Sequence, residues 1–222
     1  RRSNYNTYFP VDKNFLTQKG IREVTLNGDN IPSLENAVYE FSSPQGRKFI
    51  LLTLEFAPRD TVLNWAKKVV AQEKYSNYTA IVLTHAYLNS KNQQIEKENY
   101  PVTDGNYGAA IWQKLVQPSS NIQLVFSGHI GVPNDARGHV GFRVDKNAAG
   151  KKVSQMVFNA QAMGGGWNGN GGDGWLRILE FQPDDKTVKV KTFSPLFAIS
   201  PSTQGLAWRT EDYDAFEFEM DE

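Results

Sequence analysis

Three histidines occur in the 222 residues, at positions 85, 129 and 139, and two of them close apolar runs. His85 ends the strand-like core of "IVLTHAYL", and His129 ends that of "LVFSGHIGV". An imidazole that closes a strand built for burial is either a hydrogen-bonded cap or a group presented to a ligand. Neutral imidazole binds divalent first-row metals through bonds of about 2.0–2.1 Å. Thr79 to His129 reads as strand, helix, strand, a unit that is right-handed and sets its two strands parallel. Both histidines then fall at one carboxyl-terminal sheet edge, where open α/β sheets bind ligands. Adjacent strands lie about 4.8 Å apart, within reach of one shared ion. Gly128, directly before His129, allows a tight, left-handed turn that presents the ring outward.

The elements that must hold this pair can be read on both sides of it. "ENAVYEFSS" and "RKFILLTLEF" are two strands joined through Pro44-Gln45-Gly46, a hairpin signal, and the second is apolar enough to be buried on both faces. "PRDTVLNWAKKVVAQE" places Val62, Ala66, Val69 and Val70 at helical spacing, with Asp60 as a cap or first-turn acid. A polar loop follows His85 from Asn89 to about Asn106, then "GAAIWQKLVQ" reads as a shorter helix. From Gly138 onward the pattern is β-rich. "KVSQMVFNAQ", "GWLRILEFQP" and "KTVKVKTFSP" are strands, the last two joined by a turn at Pro183-Asp184-Asp185. The order predicts one α/β domain over 1–222, a mixed sheet followed by antiparallel strands, with residues 205–222 as a solvated acidic tail.

Composition limits the function classes. Lys plus Arg and Asp plus Glu are 24 each, so no basic field favours nucleic acid or an anionic membrane. No apolar run reaches membrane-spanning length. Cysteine is absent, which removes thiolate metal sites, disulfides and cysteine nucleophiles. Serine chemistry has no Gly-x-Ser-x-Gly elbow to stand on. The many Asn, Gly and Tyr residues are a composition common in secreted or periplasmic bacterial proteins.

"IVLTHAYL" and "LVFSGHIG" resemble the fourth and fifth motifs of calcineurin-like metallophosphoesterases, in the secreted bacterial type. "LLTLEFAPRDTVLNWAKKV" and "GWLRILEFQPDDKTVKVKTFSP" are similar to segments flanking those motifs, so the likeness runs from about Asn4 to Pro195. It implies an αββα sandwich and hydrolysis of phosphate esters by a metal-activated water. The implied cofactors are one or two divalent ions (Mn, Fe, Zn or similar), with His85 and His129 as ligands. The implied substrate is a small-molecule or polymer phosphoester. The family's Asp-x-His, Gly-Asp-x-x-Asp and Gly-Asn-His motifs do not occur in the chain, and "GDNIP" has Pro32 where a second Asp would stand. The likeness therefore implies a C-terminal portion that supplies part of the site, is inactive alone, and has the missing N-terminal part of the same enzyme as its partner. Gly131 stands where the family's next histidine ligand would be, and His139 in "ARGHVGF" is the candidate to replace it.

Further cleft candidates are Tyr87 and Asn106, which bracket the loop after His85, and Gln161, which follows another apolar run. Trp167 and Asp173 belong to the glycine-rich stretch "MGGGWNGNGGDGWLRI". The same stretch supports a different reading, a carbohydrate- or surface-binding β-rich module with structural histidines. Gly131 supports a third, a degenerate family member kept for binding.

Overall fold

A computed structural model of the chain describes residues 4–13, 15–100 and 102–221. Eleven strands are assigned among these residues: β1 Ile21–Leu26, β2 Pro32–Ser42, β3 Lys48–Thr53, β4 Thr79–Leu83, β5 Ile122–Ser127, β6 Val140–Lys146, β7 Lys152–Phe158, β8 Leu176–Phe181, β9 Thr187–Phe193, β10 Trp208–Arg209 and β11 Phe216–Glu219. The α-helices are α1 Tyr5–Tyr8, α2 Phe15–Gly20, α3 Asp60–Val70, α4 Gly108–Ile111 and α5 Pro195–Ala198.

The first seven strands form one mixed sheet in the order β1-β2-β3-β4-β5-β7-β6. Its centre is parallel, β3 with β4, β4 with β5 and β5 with β7, and its flanks are antiparallel. The expected hairpin before α3 is β2–β3, and Gly46 takes φ 101° in its turn, a backbone that side chains resist. A second, antiparallel sheet has β9 at its centre, with β8 on one side and β10 and β11 sharing the other.

Strand periodicity explains how these parts form three layers. Ile50 and Leu52, Ala80 and Val82, Val125, and Val153 and Val157 face α3 and the 108–116 helical segment. Phe49, Ile81, Leu124 and Met156, one residue out of phase, face the second sheet. Both faces of the parallel core are thus dry, as their unbroken apolar runs require. On α3, Val62, Leu63, Ala66, Val69 and Val70 are buried. Each large side chain of that stripe stabilises by about 1.5–3 kcal/mol. Asp60 sits in the first turn of α3 and accepts from Asn106 Nδ2 at 2.9 Å and Lys114 Nζ at 2.7 Å. The second helix covers 108–116, close to its sequence pattern, with α4 widening into a π-type turn over Trp112–Val116.

Three features depart from expectation. β6 and β1 were not foreseen. The acidic segment from 205 onward is not a solvated tail: β11 pairs with β9, and Phe218 and Met220 are buried in the core between the sheets. Its acids alternate with those apolar residues, so Glu217 and Glu219 take the wet face. Asp214 is also buried, and Arg177 and Arg209 both donate to its carboxylate.

Candidate functional site

β4 and β5 are parallel neighbours, and the chain leaves both at the same edge. The ladder continues past the strand ends: Thr84 N–H donates to Phe126 O at 3.0 Å, and Gly128 N–H to His85 O at 3.0 Å. The two histidines are therefore held together by backbone. Their rings meet at 4.9 Å between centroids, with planes at 71°. A nitrogen about 2.0–2.1 Å from an ion places its ring centre about 3.2 Å away, so two rings on one ion stand about 4.5 Å apart at a right angle and about 5.2 Å apart at the tetrahedral angle. The observed spacing lies between these values.

His129 has φ +77°, a left-handed backbone that costs a side-chain-bearing residue about 1–2 kcal/mol. The left-handed position expected at Gly128 is thus displaced by one residue. A Cβ at Gly128 would make ordinary contacts, 3.7 Å from Phe158 O and 4.0 Å from His85 Nδ1.

Aromatic rings frame the pair. Phe56, from the chain just beyond β3, lies 5.7 Å from His85 and 6.0 Å from His129. Tyr100, half exposed, lies 5.6 Å from His129 and 5.2 Å from Phe56. These four side chains line one open cleft. Glu98 Oε1 faces His129 Nε2 at 3.4 Å. The loop after His85 forms one wall through Glu98 and Tyr100. His85 has exposed surface, yet ring packing on Phe56 removes water from part of it. That burial, and next the charge of His129, push its imidazole below the ordinary value. Both effects favour the neutral ring, the form that ligates.

The remaining candidates fall elsewhere. His139 is fully buried, with Nε2 2.9 Å from Val132 O and Nδ1 against Asn159 O. Each ring nitrogen lies against a backbone carbonyl in the buried interior, so His139 fastens the 130–135 turn to the end of β7 and presents no nitrogen to the cleft. It does stand beside Gly131: a Cβ there would meet Trp167 Cη2 at 3.0 Å and His139 Cε1 at 3.1 Å. A side chain at 131 would press on both rings and require them to shift. Tyr87 is a core residue whose hydroxyl donates to Gln155 Oε1 at 2.9 Å. Asn106 is buried and donates to Pro58 O at 2.8 Å, so it braces the start of α3 and does not line the cleft. Gln161 is exposed, and its N–H donates to Asn159 Oδ1 at 3.2 Å. Trp167 is 52% exposed at the rim of the Gly131 turn. Asp173 serves its own loop, accepting from Asn170 Nδ2 through Oδ1 and from Ser194 through its carbonyl.

Sequence reasoning missed Phe56, Glu98 and Tyr100. Phe56 was within reach, because β3 lies beside β4 and ends at the same edge. Among the described residues no group of three or more His, Asp, Glu or Cys side chains is arranged to hold an ion. No helix of the described residues is long and apolar enough to cross a membrane.

These features define an α/β protein with a mixed sheet, a second antiparallel sheet and a two-histidine cleft at the parallel strand ends. No family model matches the chain. Over 164 residues, 71% of its length, it is 29% identical to the uncharacterized protein YvnB of Bacillus subtilis (strain 168). The aligned stretch spans 11% of that protein.

Proposed function

We propose that the chain forms the C-terminal part of a metal-dependent phosphoester hydrolase, with His85 and His129 as ligands to a divalent ion. The observation that carries this reading is the 4.9 Å imidazole pair at one parallel edge, one member of it on left-handed backbone. Backbone strain of that kind concentrates at functional sites. The layering of helices, mixed sheet and antiparallel sheet supports an αββα sandwich, of which the described residues supply three layers. When bound, the ion would supply Lewis acidity toward a phosphoryl oxygen. The chain's own groups orient and exclude: Phe56 and Tyr100 shield one side of the imidazoles, and Glu98 is placed to hold a proton at His129 Nε2. The carboxylates that would complete the shell and balance its charge belong to the missing N-terminal part.

Calorimetric titration of the 222 residues with Zn²⁺ and with Mn²⁺ tests the ligand assignment. The expected result is weak binding of one ion, lost in both His85→Ala and His129→Ala, without turnover of bis(p-nitrophenyl) phosphate. Binding that survives both substitutions, or stoichiometric tight binding with turnover by these residues alone, would overturn the proposal. The crowding at Gly131 favours a second reading, a member that retains ion binding and has lost catalysis. A longer protein containing these residues distinguishes the two: turnover sensitive to His129→Ala supports the hydrolase, and ion binding without turnover supports the second reading.

A further inference from the structure

A separate cavity of about 380 Å³ opens between the edge strand β6, the loop at 90–92 and the C-terminal segment around β11. That volume is within the range of small-molecule sites. The loop is fixed on the strand edge by Asn92, whose Oδ1 accepts from Phe142 N–H at 2.9 Å. Phe142 and Phe216 form an apolar wall with ring centres 5.0 Å apart, and Tyr213 adds a third ring.

Arg177 gives this cavity its chemistry. Its side chain is 6% exposed, and its guanidinium lies 4.6 Å from the Phe158 ring and 5.9 Å from the Phe216 ring. All three of its hydrogen bonds leave from Nη2, to Thr192 Oγ1, Tyr213 O and Asp214 Oδ1. Nε is buried without a partner, and Nη1 has no acceptor among the described residues. A buried cation with unused donors is costly, and an anionic acceptor relieves that cost. Asp214 compensates Arg177 only in part, because Arg209 donates to its other oxygen. Burial, opposed by Asp214, accordingly pulls the Arg177 guanidinium down to about 10. Arg137 brings a second positive charge to the cavity wall. It stacks 4.6 Å over Tyr213, and its pair with Asp212 is between two largely exposed side chains, hence weak. Asp212 and Glu217 also border the cavity, which opposes a ligand carrying several negative charges.

We propose that this cavity binds a small aromatic monocarboxylate, its carboxylate on Arg177 and Arg137 and its ring on Phe142 and Phe216. The site is separate from the histidine cleft and does not rest on its assignment. Calorimetry of the whole chain with 2-naphthoate, 2-naphthamide and naphthalene-2,6-dicarboxylate provides the test. One-site saturable binding of 2-naphthoate is expected, at least tenfold tighter than the amide or the dicarboxylate. Arg177→Lys, which keeps the charge beside Asp214, is expected to weaken binding tenfold or more. Ser90→Trp, on the exposed loop, fills the cavity without touching the buried ion cluster and is expected to abolish binding. His85→Ala is expected to leave it unchanged. Equal affinity for acid and amide, retention in Ser90→Trp, or no saturable binding of 2-naphthoate overturns the proposal. Ser90→Trp keeps the test decisive should Arg177→Lys fail to fold.

Discussion

Replacing His129 by Ala and by Gly isolates the strain in its backbone. Both substitutions delete an imidazole packed on Phe56, Tyr100 and His85 and 12% exposed, so both are expected to fall below the parent by about 1–3 kcal/mol. The difference between them reports the left-handed φ of +77°. Alanine there carries a steric cost of about 1–2 kcal/mol. Glycine escapes that cost and loses about 0.5–1 kcal/mol through its freer unfolded chain. The glycine variant should therefore be the more stable by about 0.5–1 kcal/mol. For a chain of this size that is about 1–4 °C in Tm, measurable by calorimetry or circular dichroism. Leu83, the exposed last residue of β4 with ordinary strand backbone, is the control, and there alanine should exceed glycine by about 0.5–1 kcal/mol. An alanine variant at 129 as stable as the glycine variant refutes the strain argument and removes one support for the site. Neither 129 variant should bind the ion, so stability and binding separate within one pair of proteins.

Gly131→His should destabilise by about 1–3 kcal/mol, since the new side chain would press on Trp167 and His139, and should not add a second ion. Calorimetry showing two ions at unchanged Tm refutes that account. Asp214→Asn leaves Arg177 and Arg209 without their buried carboxylate and should cost about 3–5 kcal/mol in urea unfolding. A loss below about 1 kcal/mol would mean the cluster is not structural. Asp184 closes the β8–β9 turn by accepting from the Thr187 hydroxyl at 2.6 Å and from the Thr187 and Lys186 N–H groups at 2.8 and 2.9 Å. The Thr187 hydroxyl, then these backbone donors, lower its carboxyl from 3.8 to about 2. The ionised form therefore favours the fold above pH 3.8, and the contribution is lost as pH falls from 3.8 through about 2. An NMR titration of the Asp184 carboxyl should give a midpoint near 2, and a midpoint near 3.8 would show the turn bonds do not persist in solution.

Legibility followed periodicity. β3, β4, β5 and α3 are plain in the sequence because "FILLTL", "TAIVL" and "IQLVF" are buried on two faces and α3 on one stripe. β11 was hidden by composition: "FEFE" alternates as a one-faced strand should, yet its many acidic neighbours read as a solvated end. β6, an edge strand with Gly141 and mixed polarity, carries too weak an apolar pattern to stand out. At the site, the histidine pair was legible because topology alone brings two strand ends together. The role of His139 was not, because its partners are the backbone carbonyls of Val132 and Asn159, which no side-chain pattern marks. Glu98 and Tyr100 lie in a loop without period, so their approach to His129 depends on the loop's path.

The late return of β11 bears on the order in which the chain can fold during synthesis. Among the described residues, the core on the helical side draws on residues from Val38 to Val157, and the histidine pair lies within that span. The core between the sheets needs Phe218 and Met220 against Phe49, and Arg47 reaches the carbonyl of Asp221, 174 positions along the chain, at 2.7 Å. On the ribosome the cleft and its helical layer can therefore assemble while the opposite face of the large sheet is still bare. That face, lined by Phe49, Ile81, Leu124 and Met156, remains exposed apolar surface until β8 and β9 begin to cover it, and its cover is complete only when Phe218 and Met220 emerge.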